Sequence, residues 1–305
     1  MKHILYLPAF LLLFSCNTSE VKNSESKTEN TPAISNAQKL LSDYTAYIAG
    51  LDSMDVESSG KAARQYQELF KGQAPGLCDS AYLLFDGFYE RMDRNLNTLL
   101  EKDTTSYDEL VIHYYDSTRA PVSKTLLDYN QKLKDNGFQI AMDEGMTYVA
   151  QYRLFIVNSF GPLVSKAMKD YLTETDLETE EGFSSDGGMI ISVSRLADRI
   201  VWWEKFINAN PDFIELSKAK ELKKTYLTYL FNGMDNTPLY EDAETMTLSG
   251  MYVEGYQYLL SKYPDTQAAS LVNPFYTAVK QKQKSRVEAL IEQYKKQDLI
   301  LGFGY

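Results

Sequence analysis

The sequence predicts an all-α protein, an array of amphipathic helices and helical hairpins packed as a bundle or irregular superhelix. Two observations carry that reading. Glycine and proline together make up 25 of 305 residues, about 8% against a usual 12% or so, which favours long uninterrupted helices over a turn-rich β-fold. Apolar residues also recur at three-and-four spacing with little strict alternation, the mark of helices that bury one stripe.

In chain order, Leu40, Tyr44, Tyr47 and Leu51 form the first stripe, and Ala62, Tyr66 and Leu69 continue it after Gly60. Ala81, Phe85, Phe88, Met92, Leu96 and Leu99 mark the longest early helix, beginning soon after Pro75-Gly76. Val122, Leu126, Tyr129 and Leu133 follow Pro121, and Asn136-Gly137 stops them. Residues 138–149 alone invite a strand assignment. Phe138 to Met142 alternates, and Asp143-Glu144-Gly145 can turn it into Met146 to Val149 as a small β-hairpin. Tyr152 to Val157 is apolar except for Arg153, so it is expected to cross the interior until Gly161-Pro162 breaks it.

Further on, Val193, Leu196, Ile200, Trp203 and Ile207 run up to Asn210-Pro211, and Leu216, Ala219, Leu222, Tyr226 and Leu230 run up to Asn232-Gly233. Residues 203–212 and 256–265 look alike when their prolines are aligned. Each ends a helix in Pro-Asp, and the second is similar to the ends of tetratricopeptide-type helix pairs. Pro211 and Pro264 are 53 residues apart, not the 34 of that repeat, so the likeness implies recurrent helical hairpins only.

The N-terminus is an address. Lys2 and His3 precede an apolar run from Ile4 to Phe14, interrupted by Pro8, and Ser15 stands before Cys16; this is the pattern of a signal peptide over residues 1–15. The ending Leu13-Phe14-Ser15-Cys16 resembles the lipobox of bacterial lipoproteins, with Phe14 where that family favours a small residue. The resemblance covers the signal region alone. It implies that Cys16 becomes the lipid-bearing first residue of the mature chain and attaches the protein to a membrane through N-terminal lipid, effectively permanently. Asn17 directly after it, where the family uses Asp for inner-membrane retention, implies the outer membrane. Residues 16–35 contain almost no apolar side chains beyond Val21, Ala33 and Ile34. They read as a flexible tether, with a reach of very roughly 25 Å. The helical domain is expected over 36–305, either as one continuous array or as two packed lobes with a break near 173–190.

Composition excludes several functions. The net charge is −11, which repels a nucleic-acid backbone. The two histidines cannot supply a helical zinc motif once signal cleavage removes His3, no Cys-x-x-Cys occurs, and no glycine-rich phosphate loop is present. No cofactor and no metal is expected. After acylation of Cys16 the remaining thiol is Cys78, expected as a small core hydrophobe, and His113 has no nucleophile-elbow serine to serve. The acidic stretch Glu174, Asp176, Glu178, Glu180 and Glu181 is read as a solvated loop between helices. Trp203 lies on the buried stripe of its helix. Trp202 is rotated 100° from it, and with Arg195 and Arg199 at i−7 and i−3 it marks a flank for a ligand or partner, or for internal Arg–Trp packing. The expected function is that of an envelope lipoprotein whose acidic helical domain binds a partner protein or a small ligand without catalysis. The rival readings are a carboxylate-dependent glycan hydrolase of the envelope and a sugar-binding lipoprotein with aromatic platforms.

Overall fold

A computed structural model describes residues 35–115 and 121–302; Cys16 and the tether up to residue 34 lie outside them. The first half of the described chain comprises α1 (Asn36–Ala49), α2 (Glu57–Phe70), α3 (Pro75–Leu100), α4 (Asp108–Tyr115) and α5 (Lys124–Asp135). The hairpin β1 (Phe138–Asp143) and β2 (Met146–Gln151) follows, then α6 (Arg153–Phe160). The second half opens with α7 (Lys166–Glu181), the short hairpin β3 (Ser184–Ser185) and β4 (Gly188–Met189), α8 (Val193–Ala209) and α9 (Leu216–Asn232). Two more short hairpins come next, β5 (Gly233–Met234) with β6 (Thr237–Pro238) and β7 (Tyr240–Asp242) with β8 (Thr247–Leu248). The chain then continues through α10 (Gly250–Lys262), α11 (Gln267–Lys280) and α12 (Lys284–Lys296). The fold is all-α with small antiparallel hairpins.

The caps are those the sequence supplies. Ser123, Ser165 and Ser192 each accept a hydrogen bond from the amide three residues on, which fixes the starts of α5, α7 and α8. The expected hairpin forms, pairing Phe138 with Gln151 and Asp143 with Met146 around Glu144 and Gly145. Both turn residues have positive φ, the two-residue geometry whose twist matches that of the flanking strands.

The three shorter hairpins are not anticipated by periodicity, because strands of two or three residues are too short to alternate. Two of them follow directly on helices that end at a glycine. Gly182 closes α7 at φ 74° and Gly233 closes α9 at φ 75°. A Cβ at Gly233 would stand 2.5 Å from the Leu239 amide nitrogen, so only glycine lets the chain fold back there. α8 packs against α9 and α10, which gives the two Pro-Asp endings a shared setting at the ends of α8 and α10.

Aromatic rings fill the core. Phe160 meets Tyr66, Tyr82 and Phe85 at centroid distances of 4.6, 5.2 and 4.4 Å, joining α2 and α3 to α6. Tyr171 on α7 meets Trp203 at 5.7 Å and Phe213 at 5.2 Å. The buried tyrosines keep their hydroxyls satisfied: Tyr256 donates to the Leu230 carbonyl at 2.7 Å and Tyr294 to that of Leu271 at 2.8 Å. Cys78 is fully buried among these side chains, as expected of a core thiol. From Asn36 onward the chain forms one compact unit. The stretch 173–190, expected as a break between lobes, lies inside that unit as the end of α7 and the β3–β4 hairpin.

Candidate functional site

The acidic stretch is a helix, not a solvated loop. Glu174, Glu178 and Glu181 recur along one face of α7, and Glu174, Asp176 and Glu178 are buried. Trp203 Nε1 donates to Glu178 Oε1 at 2.9 Å, and the Tyr226 hydroxyl donates to Glu178 Oε2 at 2.8 Å. The pattern i, i+4, i+7 was available in the sequence. It reads as a solvated face because carboxylates are rarely buried without partners, and those partners come from α8 and α9.

Arg199 is the second member of this cluster and is fully buried. Its Nη2 donates to Glu181 Oε2 at 2.7 Å, to the Glu178 carbonyl of α7 at 3.2 Å and to that of Gly182 just past α7 at 2.6 Å, while Nη1 reaches the Tyr226 hydroxyl at 3.3 Å. Arg195 Nε meets both Glu181 oxygens at 2.8 Å. Burial pushes the Glu181 carboxyl up, but the hydrogen bonds from Arg195 and Arg199 outweigh it and hold it below the usual range. Burial raises the Glu178 carboxyl above its ordinary value, opposed by Tyr226 and Arg199.

The two arginines therefore come together on Glu181 and not on Trp202. The Arg199 guanidinium lies over the Tyr226 ring, 5.7 Å from its centroid. Trp202 stacks on Phe206 at 5.2 Å with rings 9° apart. The predicted flank is thus one stripe of α8 whose arginines are spent on Glu181 and Tyr226 and whose indole is spent on Phe206. Its arginine half holds α7, α8 and α9 together through buried donors, and Arg199 exposes no face to a ligand. Trp202 is partly buried.

An open cleft of about 640 Å³ lies at the hairpin end of the second half. Tyr229 and Asn232 line it from the last turns of α9, Asp235 from the β5–β6 turn, and Leu239 and Tyr240 from the start of the next hairpin. Its rim is fixed by contacts between hairpins: Asn236 N donates to Gly187 O at 3.1 Å, and Met189 N to Thr237 Oγ1 at 2.8 Å. Phe183 braces Tyr229 from behind at a centroid distance of 5.2 Å. Across Leu239 and Tyr240 a second cleft of about 420 Å³ continues towards Ile291 and Lys295 of α12.

Among the described residues Asp235 is the one carboxylate given to the lining of the larger cleft, whereas glycoside hydrolysis uses a facing pair. Among the described residues no group of three or more His, Cys, Asp or Glu can hold a metal ion. Burial pushes the Cys78 thiol up, away from the reactive thiolate. No protein-family model, curated protein or solved structure matches the chain.

Proposed function

We propose that this chain is a cell-envelope lipoprotein, anchored through Cys16 in the outer membrane, whose helical domain binds a small ligand without chemistry in the cleft between the hairpins and the end of α9. The supporting observation is the lining of that cleft. Tyrosine rings stand beside Asn232, a single carboxylate and turn backbone, groups that offer apolar faces and hydrogen bonds but no acid–base pair. Among the described residues no helix is long and apolar enough to cross a membrane, so membrane attachment in this reading rests on the lipid.

The ligand class that suits the lining is a neutral saccharide, which stacks its apolar face on tyrosine and bonds its hydroxyls to Asn and Asp. Full-length protein in detergent, titrated with neutral oligosaccharides, should show saturable binding that Tyr240→Ala abolishes without loss of helicity. Release of new reducing ends, stopped by Asp235→Asn, would move the assignment to a hydrolase. Absence of binding by the unmodified protein would reject the saccharide reading. Replacing Cys16 with Ala should free the protein from membranes, and an intact mass without lipid on the wild type would reject the anchor.

A further inference from the structure

A smaller pocket of about 190 Å³ lies where the two halves of the domain meet, between α3, α6, α7 and the start of α9. Its volume equals roughly six water molecules at about 30 Å³ each, and its walls are charged. Asp86 and Glu90 come from α3, Arg153 from the first position of α6, and Glu215 and Lys218 from α9 and the residue before it.

These charges are unevenly committed. Lys218 Nζ bridges Glu215 Oε2 at 2.8 Å and Asp86 Oδ2 at 3.3 Å, and the Tyr82 hydroxyl donates to the other Asp86 oxygen at 2.9 Å. Lys218 thereby stays an ammonium: burial disfavours its charge, but Glu215 and Asp86 raise its pKa well beyond the usual lysine value. Arg153, in contrast, has no carboxylate within 4.0 Å among the described residues. Its Nη1 reaches Gln151 Oε1 at 3.2 Å and its Nη2 reaches Thr175 Oγ1 at a marginal 3.5 Å. A guanidinium carries five N–H donors, so these two contacts leave donor capacity on a side chain that lines the pocket. At the mouth, Glu90 is exposed and makes no ion pair among the described residues.

The side chains lining this pocket thus offer an uncommitted cation inside and an uncommitted carboxylate at the mouth, and together they carry one negative charge more than positive. An inorganic anion would meet Arg153 but would be repelled by Asp86, Glu90 and Glu215. A simple amine would leave Arg153 unsatisfied, at the cost of an unpaired, partly desolvated charge. We propose that this pocket is a binding site for a free α-amino acid, its carboxylate on Arg153 and its ammonium turned towards Asp86 and Glu90. Tyr82 and Tyr171 complete the walls as neutral phenols, kept protonated by burial. The ligand binds without reaction.

The site is separate from the hairpin cleft, and its test does not depend on that reading. Full-length protein in detergent is titrated calorimetrically with the standard L-amino acids, and its thermal midpoint is followed in parallel. At least one amino acid should bind saturably and raise the midpoint. Its N-acetyl derivative and its methyl ester, each lacking one charge, should bind at least about tenfold more weakly, the factor expected for losing one hydrogen bond to a charged group. Arg153→Gln and Glu90→Gln should each weaken binding similarly while helicity is kept. If Arg153→Gln does not fold, the blocked ligands on the unmodified chain decide the matter. No binding by any amino acid at millimolar concentration overturns the proposal. So does equal binding of the N-acetyl derivative or of acetate, which would make this an anion site.

Discussion

Replacing Arg199 with Met tests whether the buried cluster holds the second half together. Arg199 is side-chain buried to 1% exposure, so solvent does little to screen what it touches. The substitution keeps most of the apolar stem volume but strips donors from the Glu178 and Gly182 carbonyls at the end of α7, from Glu181 and from the Tyr226 hydroxyl. Glu181 is 35% exposed and keeps Arg195, so its share of the loss is small. The main costs are the two carbonyls and the buried Glu178 carboxylate, left with Trp203 and Tyr226 alone. Removing one partner of a buried charged cluster costs about 3 to 5 kcal/mol, a large part of the stability of an ordinary domain. Urea unfolding followed by tryptophan fluorescence and by helicity measures it, since Trp203 sits on Glu178.

Two further measurements separate this account from simple loss of packing. Adding Glu178→Gln to Arg199→Met removes the stranded charge while an amide still accepts from Trp203, so the double variant should regain part of the loss. The Glu178 carboxyl is raised in the fold by burial and should rise further without Arg199. A carboxyl whose folded pKa exceeds its unfolded one binds its proton more tightly when folded. Its favourable contribution is therefore complete below about pH 4.3, the unfolded value, and is lost as pH rises through the folded pKa. The penalty of Arg199→Met should then be smaller at acid pH than at neutral pH. A loss under about 1 kcal/mol, the net worth of one ordinary hydrogen bond, or a penalty that grows towards acid pH, would refute the reasoning.

Trp203→Ala should cost roughly 3 to 5 kcal/mol through the cavity it leaves, because the indole is fully buried. Trp202→Ala should cost clearly less, since its ring is only partly buried against Phe206; equal losses in denaturant would show that both indoles are core. Asp176 Oδ1 is buried with no hydrogen-bond partner, and burial followed by Glu180 raises its carboxyl. Asp176→Asn should therefore stabilise the fold by about 1 kcal/mol at neutral pH, with the gain disappearing below the ordinary carboxyl range; unchanged or reduced stability at pH 7 would contradict that. Gly233→Ala should destabilise by more than about 1 kcal/mol, given its positive φ and the Leu239 amide in the way, and a variant that melts like wild type would show that the hairpin tolerates another path.

Local rules settled the helices and the long hairpin. The line Val193, Leu196, Ile200, Trp203 assigns the buried side of α8 because helical periodicity is a property of the chain itself, and Ser192 caps that helix with its own hydroxyl. Phe138 to Met142 alternates over enough residues to show its strand, and Glu144-Gly145 supplies the turn. Tertiary structure decided the rest. Charge makes Glu174, Glu178 and Glu181 look solvated, and only Trp203 and Tyr226, brought over Glu178 by α8 and α9, make its burial tolerable, while Arg199 pairs with the part-exposed Glu181. Arg199 stands three residues from Trp202 on the same stripe, yet it is spent on Glu181 and on the Glu178 and Gly182 carbonyls and not on the indole, because a buried guanidinium goes where its donors are met. The polar pocket draws Asp86, Arg153 and Lys218 from three separate helices. No spacing along the chain encodes that meeting, which exists only where α3, α6 and α9 pack.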